Sequence, residues 1–444
     1  YCDTANYINT GDNEGYNNNG LCGASGVFIR ESNYCAYLEQ RNPPPQPITE
    51  SPTFSPTTPP IERPPGYFNY DMEDKKYGPS AWGDIPATET DAYKYWKDLE
   101  DVLPVNLEIN TCDSAKHFNS NKASPIDVRN TGKECKEFHQ IRPLEGSMPL
   151  ERSTEEGSAE GVELQIRSNS LRIAYPRRPS RNTPLDLPSV DVPQGWGKFL
   201  DVAHVDFKVP AEHTLLGETF DAEVNIYVIQ RAGRGIPVIT VLFKIGKYNP
   251  HMQQVIDAFG RVWREDKNAC AKRGYRNLKE IEMGNNITSL IQPRTLQQDW
   301  HPWEFVWQTN SDWFYGYMGS LTEPPCYSFA HYRIIDTPNE ISAQQLHALK
   351  NIILYHQDPG TCSYTSVHNK YGSVARPLQD SRRTWVHRCT CTDFLPDKTR
   401  KTTGKRSCRR GQESQWMPNP KDLTPAPGNE FIPAGGSDDD TVRF

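Results

Sequence analysis

Alternating apolar and polar residues in the middle of the chain predict β-strands. In residues 204–230, two runs with Val, Phe or Ile alternating with polar residues flank a turn at Leu216 and Gly217. Successive side chains of a strand point to opposite faces of a sheet, so one set faces a core and the other faces a cleft. We therefore predict a hairpin whose polar residues line a cleft.

Hydrophobic patterns elsewhere predict two further strands. Residues 164–175 alternate with a period of two, which is typical of a strand. Residues 236–245 form a nearly continuous apolar run rich in β-branched side chains, which predicts a buried central strand.

Two segments carry helical patterns. Apolar residues recur at helical spacing in residues 251–262, which predicts a surface helix. Residues 342–345 read Ser-Ala-Gln-Gln, a capping box that opens a helix through about His356. The core-facing stripe of this helix is predicted to be Leu346, Leu349, Ile352 and Ile353. We expect its two histidines, His347 and His356, to lie on the surface.

Two stretches without periodicity are predicted loops. Residues 146–161 are acidic and rich in turn residues, and residues 263–300 are charged and aperiodic. The second stretch contains Asn286-Ile-Thr, an N-glycosylation sequon that is meaningful in a secreted protein.

Composition and charge exclude several classes of protein. The 444 residues carry a formal net charge of -7 and a pI near 5.9, so we expect no general binding to nucleic acids or membrane surfaces. No apolar run approaches the roughly 20 residues of a transmembrane helix. The chain has 11 cysteines and begins at Tyr1 rather than Met, which favours a secreted or lumenal protein with a removed leader peptide.

The ends of the chain differ from its middle. Residues 1–41 form a small cysteine-containing arm, either a recognition module or a loosely stapled extension. Residues 42–65 are a Pro/Thr/Ser-rich linker, which would span roughly 70 Å as polyproline II. Residues 66–392 contain the predicted strands and helices, and residues 393–444 form a basic loop and an extended tail.

The segment that follows the first predicted strand carries a motif. Pro-Ala-Glu-His-Thr at residues 210–214 resembles the Pro-Ser-Glu-His-Thr motif of the α-class carbonic anhydrases. In that family two zinc-binding histidines precede the motif on one strand, and a third follows on the returning strand. In this register the three zinc-ligand positions are Asp206, Lys208 and Asn225. The frame of a zinc site is preserved, but its three histidines are not.

Three further motifs follow in the order that this family would give. Residues 123–128 resemble its Q-S-P-I-D-I stretch, residues 315–326 its Y-x-G-S-L-T-T-P-P-C stretch, and residues 375–379 its R-P-x-Q-P-L stretch. The resemblance covers about residues 66–392. It implies an α+β, mainly β fold: a twisted, mixed, largely antiparallel sheet of about ten strands with peripheral helices, plus extended N- and C-terminal arms.

The resemblance also implies roles for residues around the zinc positions. Glu212 and Thr322 match the carboxylate and the gatekeeper hydroxyl that act on the zinc-bound water. Glu223 matches the carboxylate that supports the third histidine. Glu323 replaces a threonine of the family and places a charge near the substrate pocket.

A disulfide is a further implication of the resemblance. Secreted members of the family join the positions of Cys112 and Cys326. The sequence leaves the pairing of six other cysteines open: Cys135, Cys270, Cys362, Cys389, Cys391 and Cys408.

The three substitutions argue against a zinc cofactor. Zinc needs neutral or anionic ligands and one open position, whereas Lys208 would carry a positive charge. We expect Lys208 to pair with Asp206 or Asn225 and to fill the volume of the metal. His204 is in phase with Asp206 on its strand, so it is an alternative ligand for a rebuilt metal site.

These observations favour a non-catalytic carbonic anhydrase-like extracellular protein that acts as a structural or interaction module in an assembly. One alternative is a divergent carbonic anhydrase that hydrates CO2 with an atypical metal site. Another is a polysaccharide- or mineral-binding surface protein, which the aromatic residues 300–317 and the basic loop 398–410 would serve. The expected partners are other protein subunits, further copies of the chain, an acidic polysaccharide or a mineral surface.

Overall fold

The computed structural model describes the following parts of the chain: residues 63–113, 122–129, 133–134, 141–144, 146–150, 161–177, 186–192, 197–230, 235–274, 299–309, 314–382 and 384–389, and the backbone of residues 20–22 and 28–30. The chain divides into two compact units, residues 1–62 and 63–444. In the first unit, β1 (Gly20–Cys22) and β2 (Phe28–Arg30) pair as an antiparallel hairpin. The predicted glycosylation site at Asn286, most of the N-terminal arm and linker, and the C-terminal tail lie outside the described residues.

A single large sheet dominates the second unit. Its described strands are β4 (Lys133–Glu134), β5 (Arg142–Leu144), β7 (Glu163–Ile166), β8 (Leu171–Ala174), β9 (Ser189–Val192), β10 (Gly197–Lys208), β12 (Ala222–Val228), β13 (Ile236–Ile245), β15 (Phe314–Gly319), β16 (Ala330–Ile335), β17 (Asn339–Ile341) and β18 (His387–Cys389). The order is β4-β18-β15-β16-β13-β12-β10-β8-β7, with β17 beside β13, β9 beside β10 and β5 beside β9. Most pairs are antiparallel, whereas β13 runs parallel to β16 and β17, and β18 runs parallel to β4. The predicted mixed, mainly β fold is confirmed.

Two short strand pairs and several helices complete the described fold. The first pair is β3 (Asp127–Val128) with β11 (Thr214–Leu215), and the second is β6 (Met148–Pro149) with β14 (Asp299–Trp300). The α-helices are α1 (Asp91–Trp96), α2 (Pro250–Lys272), α3 (Trp303–Gln308) and α4 (Ala343–Leu354). Three 3-10 helices span Trp82–Asp84, Ala87–Glu89 and Lys97–Val102.

The hairpin predicted in residues 204–230 consists of β10 and β12. These strands pair antiparallel, with Asp206 opposite Asn225. The connection turns at Leu216 and Gly217, which both have positive φ angles, 55° and 83°. Glycine adopts this backbone region at little cost, so Gly217 suits the turn. The predicted central strand is confirmed as well, because β13 lies between β12 and β16.

The two faces of β10 have different neighbours. Val205 and Phe207 belong to the core cluster that also contains buried residues of α2 and α4. Their neighbours His204, Asp206 and Lys208 project from the opposite face, as the alternation of a strand requires. The polar face of β10 is therefore held in place by an apolar face packed under helices.

The helix α2 is longer and more buried than predicted. It continues to Lys272, so the predicted loop in residues 263–300 is wrong for its first turns. The reason is that the apolar stripe does not stop at Val262: Trp263 and Cys270 are also buried, and Cys270 forms a disulfide with Cys362. Asn249 caps the helix, since its side chain accepts hydrogen bonds from the backbone of residues 251 and 252.

The capping box at the start of α4 is confirmed, but the prediction for its second histidine is wrong. Ser342 accepts a hydrogen bond from the Gln345 backbone, and the Gln345 side chain accepts one from the Ser342 backbone. His347 is exposed as predicted. His356 is buried, with its Nε2 atom 3.0 Å from a carboxylate oxygen of Asp266. The longer α2 carries Asp266 against the end of α4, which explains the burial.

Two surface predictions are also corrected in part. The predicted loop in residues 146–161 contains β6, and Met148 in it is buried. The aromatic row in residues 300–317 lies largely in the core, where five of its rings are almost completely buried: Trp300, Trp303, Phe305, Tyr315 and Tyr317. The row therefore gives little support to a carbohydrate-binding surface. Trp307 is its exposed member in the described part of the chain.

Candidate functional site

The three residues predicted to stand at zinc-ligand positions lie together on two neighbouring strands. β10 carries Asp206 and Lys208, and β12 carries Asn225 directly opposite Asp206. On the other side of β10, β8 places Arg172 opposite Asp206. Asp206, Lys208 and Asn225 are only 2%, 3% and 2% exposed, and Arg172 is 4% exposed. The register of the three strands thus brings these charged groups together in a buried environment.

Asp206 is bound by Arg172. The Nε and Nη2 atoms of Arg172 each donate a 2.7 Å hydrogen bond to a different carboxylate oxygen of Asp206. Burial alone would raise the pKa of Asp206, but the guanidinium lowers it below its ordinary value. The two side chains therefore form a bidentate, charge-assisted pair that uses both oxygens of the carboxylate.

The sequence predicts that Lys208 pairs with Asp206 or Asn225. In the structure it pairs with Glu212 instead. Its Nζ atom lies 3.2 Å from Glu212 Oε2. Burial alone would lower the pKa of Lys208, but the charge of Glu212 and other nearby carboxylates raises it above its ordinary value. The prediction was wrong because Arg172 already occupies Asp206, whereas Glu212 lies four residues beyond Lys208 and its Oε2 atom is within reach of the ammonium.

Asn225 is held at both ends of its amide. Its Nδ2 atom donates to Glu223 Oε1 at 2.8 Å, and its Oδ1 atom accepts from the Thr240 hydroxyl at 2.6 Å. Glu223 also accepts hydrogen bonds from the ring of His213 and from the backbone N–H groups of residues 212 and 213. The carboxylate implied to support a third histidine thus supports an asparagine here.

Glu212 joins the strand connection to two loops. The Thr322 hydroxyl donates to Glu212 Oε2 at 2.5 Å, and the backbone N–H of Arg376 donates to Oε1 at 3.1 Å. The guanidinium of Arg376 donates to the carbonyl of Ser124 at 2.7 Å. These contacts connect all four sequence motifs, so the Glu212–Thr322 pair has a structural role whether or not a metal is present.

Glu323 extends the charge network toward the cleft. Its Oε1 atom lies 3.0 Å from Arg167 Nη1 and 4.0 Å from Arg172 Nη2. Its Oε2 atom accepts a 2.9 Å hydrogen bond from Asn169. The charge that the sequence placed near the pocket is therefore compensated by two arginines on neighbouring parts of the β7–β8 hairpin.

His204 lies in the same region but in an aromatic environment. Its ring stacks on Tyr227 at a centroid distance of 4.2 Å, and its Nδ1 atom is 3.0 Å from the Tyr95 hydroxyl. Its Nε2 atom is 3.6 Å from Asp206 Oδ2, too far for a normal hydrogen bond. Burial and nearby positive charges, foremost Arg172, hold the pKa of His204 well below its usual range, so the ring is neutral.

The disulfide implied by the resemblance lies beside the network. Cys112 and Cys326 are bonded, with their Cα atoms 4.8 Å apart. The backbone N–H of Thr111 donates to the Pro325 carbonyl at 2.9 Å. This bridge fastens the entry segment to the loop that carries Thr322 and Glu323.

The residues at the three ligand positions do not fit a zinc ion. Zinc requires neutral or anionic donor atoms that can turn toward the ion. Both oxygens of Asp206 accept hydrogen bonds from Arg172, Lys208 is protonated, and the Asn225 oxygen accepts a hydrogen bond from Thr240. Across the described segments, no three His, Cys, Asp or Glu side chains are grouped as metal ligands.

Acid is expected to weaken this network below about pH 4.5. Burial alone would raise the pKa of Glu323, but the charges of Arg167, Arg172 and Lys208 lower it from 4.5 to about 2. A depressed carboxylate pKa stabilises the fold fully above the unfolded value and loses that contribution as the pH falls through the folded value. The contribution of Glu323 should therefore be present above about pH 4.5 and disappear toward pH 2.

Urea unfolding at a series of pH values checks this expectation. The wild-type protein should exceed Glu323→Gln in free energy of unfolding at pH 6, and the difference should shrink by up to about 1.4 kcal/mol per pH unit below pH 4.5. Glu108→Gln, a change at an exposed glutamate outside the network, serves as the control. A difference between wild type and Glu323→Gln that does not change with pH would contradict the expectation.

Sequence reasoning found the acidic residues and the lysine of the site but missed its arginines. It did not identify Arg172, Arg167 or Arg376 as partners of the acidic residues. A signal was present for one of them: residues 164–175 form the β7–β8 hairpin rather than the single predicted strand, and Arg172 is the charged residue of the otherwise apolar β8. Such a residue needs a buried counter-ion, but only the register between β8 and β10 shows which one.

Comparisons with known proteins agree with the motifs. The profile of the eukaryotic-type carbonic anhydrase family matches residues 110–389. Alpha carbonic anhydrase 4 of Arabidopsis thaliana is 28% identical over 180 residues, which cover 40% of this chain and 51% of the relative. Dioscorin DB3L of Dioscorea polystachya is 28% identical over 149 residues, which cover 34% of this chain and 45% of the relative. The chain thus spans about half the length of the curated relatives it matches.

Solved structures of the same family are also similar. The α-carbonic anhydrase from Thermovibrio ammonificans, solved with the inhibitor sulfanilamide, has a TM-score of 0.43 and 19% identity, covering 72% of this chain and 99% of that chain. Dioscorin complexed with ascorbate has a TM-score of 0.42 and 16% identity, covering 72% of this chain and 97% of that chain. Because the family profile matches more than half of the sequence, this chain belongs to the eukaryotic-type carbonic anhydrase family.

Proposed function

We propose that this protein is a non-catalytic member of the carbonic anhydrase family and acts as a structural or interaction module. One observation carries the proposal: the atoms at all three zinc-ligand positions are already bound by other protein groups. Asp206 is bound by Arg172, Lys208 by Glu212, and Asn225 by Glu223 and Thr240. A polar network takes the place of an ion.

The burial of the site supports the same proposal. Hydration of CO2 by zinc enzymes requires a metal with an open position that generates hydroxide near neutral pH. Here the side chains around the predicted ligand positions are at most 8% exposed: Asp206, Lys208, Glu212, Asn225 and Glu323. Ion pairs and an amide occupy the place where a metal-bound water would meet the substrate.

A second candidate, a divergent carbonic anhydrase with an atypical metal site, is favoured by one observation. The Glu212–Thr322 hydrogen bond and the position of Glu223 match groups that serve the zinc-bound water and the third ligand in the family. Both groups also have structural partners in this chain, so they do not require a metal. His204 and Asp206 would need Arg172 to leave before they could share one.

The location and the partners form the rest of the proposal. Two disulfides favour an oxidising compartment, so we propose that the protein lies outside the cell. No helix in the described residues is long and apolar enough to cross a membrane. The Pro-rich segment 42–65 and the basic segment 398–410 would engage neighbours, which we propose to be other subunits or an acidic polysaccharide or mineral surface. Asn286 would carry a glycan.

A CO2 hydration assay tests the catalytic part of the proposal. We expect stopped-flow traces of the purified protein to match buffer alone, both as isolated and after incubation with excess zinc. Carbonic anhydrase 12 of Homo sapiens, a relative that is 25% identical over 154 residues, serves as the positive control. Hydration that rises in proportion to protein concentration would contradict the proposal.

A further inference from the structure

We propose that Arg172 is a second barrier to a metal ion, separate from the loss of the three histidines. The inference rests on the proposed non-catalytic function and explains it further: restoring the three ligands would not by itself restore metal binding. Arg172 belongs to β8, outside the hairpin that carries the ligand positions. The family motif of that hairpin therefore gives no indication of this residue.

The guanidinium of Arg172 is fixed in place. Two 2.7 Å hydrogen bonds join it to Asp206, and Glu323 Oε1 lies 4.0 Å from Nη2. The ring of Tyr95 covers it at 4.7 Å from the ring centroid. Because the side chain is only 4% exposed in this setting, it cannot move into water to make room for a cation without breaking the network.

The charges explain why the residue would exclude a metal. The substitution Asp206→His would remove the carboxylate that neutralises Arg172. The guanidinium would then face a divalent cation in a low-dielectric setting. Glu323 cannot neutralise Arg172 fully, because it is closer to Arg167, at 3.0 Å. Arginine also keeps its proton at any pH at which the protein is folded. The repulsion would therefore remain after the ligands are restored.

Metal binding by two restored-ligand variants tests the proposal. The first variant carries Asp206→His, Lys208→His and Asn225→His, and the second adds Arg172→Gln. Zinc affinity is measured by competition with a chromophoric chelator, and Co2+ binding is followed by visible absorption. We expect the second variant to bind zinc at least about 100-fold more tightly, which equals about 2.8 kcal/mol at 1.4 kcal/mol per tenfold change.

A matched control separates the position of the charge from its presence. Arg177 also lies over the Tyr95 ring, at 4.9 Å, but it pairs with Asp98. Adding Arg177→Gln instead of Arg172→Gln also removes one positive charge beside Tyr95, but from a residue that does not bind Asp206. This control should change the zinc affinity of the first variant by less than about threefold.

A second pair of variants keeps the proposal falsifiable if the histidine at position 206 prevents folding. Lys208→His with Asn225→His retains Asp206 as a carboxylate ligand and leaves Arg172 paired. The same change with Arg172→Gln frees that carboxylate and should bind zinc more tightly by a similar factor. Cooperative urea unfolding identifies which pair is folded.

Two results would overturn the proposal. One is equal zinc affinity with and without Arg172 in a folded pair. The other is the absence of zinc and Co2+ binding even after Arg172→Gln, which would mean that another feature excludes the metal. Neither result depends on the proposed function, because hydration of CO2 by the unaltered protein would refute that function without any variant.

Discussion

Asp206→Asn is expected to lower the free energy of unfolding by about 3–5 kcal/mol, because it leaves the guanidinium of Arg172 buried without its partner. The substitution keeps the size and shape of the side chain, so the loss reports charge rather than a cavity. Arg172 would retain Glu323 at 4.0 Å and the Tyr95 ring, which compensate its charge only in part. Urea unfolding of the oxidised protein at neutral pH measures the effect.

A double-mutant cycle with Arg172→Gln makes this test specific. The double variant places two neutral amides where the ion pair stood, so its loss should be at least about 2 kcal/mol smaller than the sum of the two single losses. Asp380→Asn is the matched control, since Arg382 binds Asp380 through both carboxylate oxygens on the exposed surface. Water and salt screen that pair, so its effect should be much smaller. Equal losses at Asp206 and Asp380 would contradict the interpretation of a buried network.

Removing the disulfide next to the site is the second large effect that we expect. Cys112→Ser with Cys326→Ser opens a loop with a sequence separation of 214 residues. In the chain-entropy view, a long closed loop destabilises the unfolded state most, so we expect a loss of about 2–5 kcal/mol. The loop that carries Thr322 and Glu323 should also become more mobile, because the bridge fastens it to the entry segment.

Two measurements check this expectation. Urea unfolding of the double serine variant gives the loss of stability, and amide hydrogen exchange reports protection in residues 320–326. The control is Cys270→Ser with Cys362→Ser, which opens a shorter separation of 92 residues and joins α2 to the segment after α4. The control should lose stability but leave protection of residues 320–326 unchanged. A Cys112–Cys326 variant that keeps full protection there would contradict the proposed role of the bridge.

The fold was predictable from the sequence because strong local patterns agreed with ordered motifs. The apolar run of β13 and the alternating residues of β10 predict the central strands. The Pro-Ala-Glu-His-Thr motif aligns residues 204–230 with the corresponding segment of the family. The extent of α2 was not predictable from residues 251–262 alone. Its continuation through Trp263 and Cys270 depends on the disulfide with Cys362 and on the contact of Asp266 with His356, which lies just beyond the end of α4. Such contacts exist only after the chain has folded.

The site was predictable in position and only partly in content. A motif identifies the three residues at the ligand positions, since it fixes spacing along the chain. It does not show what lies on the neighbouring strand, so Arg172 was missed and Lys208 was assigned to the wrong carboxylate. The choice between Asp206 and Glu212 as partner of Lys208 depends on which acid Arg172 already binds. That competition is a property of three strands together, not of any one segment.

The zinc content of the native protein tests the central claim most directly. The protein is purified without chelators, incubated with excess zinc, separated from free metal by gel filtration and analysed by mass spectrometry for all transition metals. The closed polar network at Asp206, Lys208 and Asn225 predicts less than about one-tenth of an equivalent of metal per chain, since Arg172 holds the carboxylate of Asp206, Lys208 carries a positive charge and Asn225 is held by Glu223 and Thr240. One equivalent of bound metal, lost on Asp206→Ala or His204→Ala, would contradict the claim.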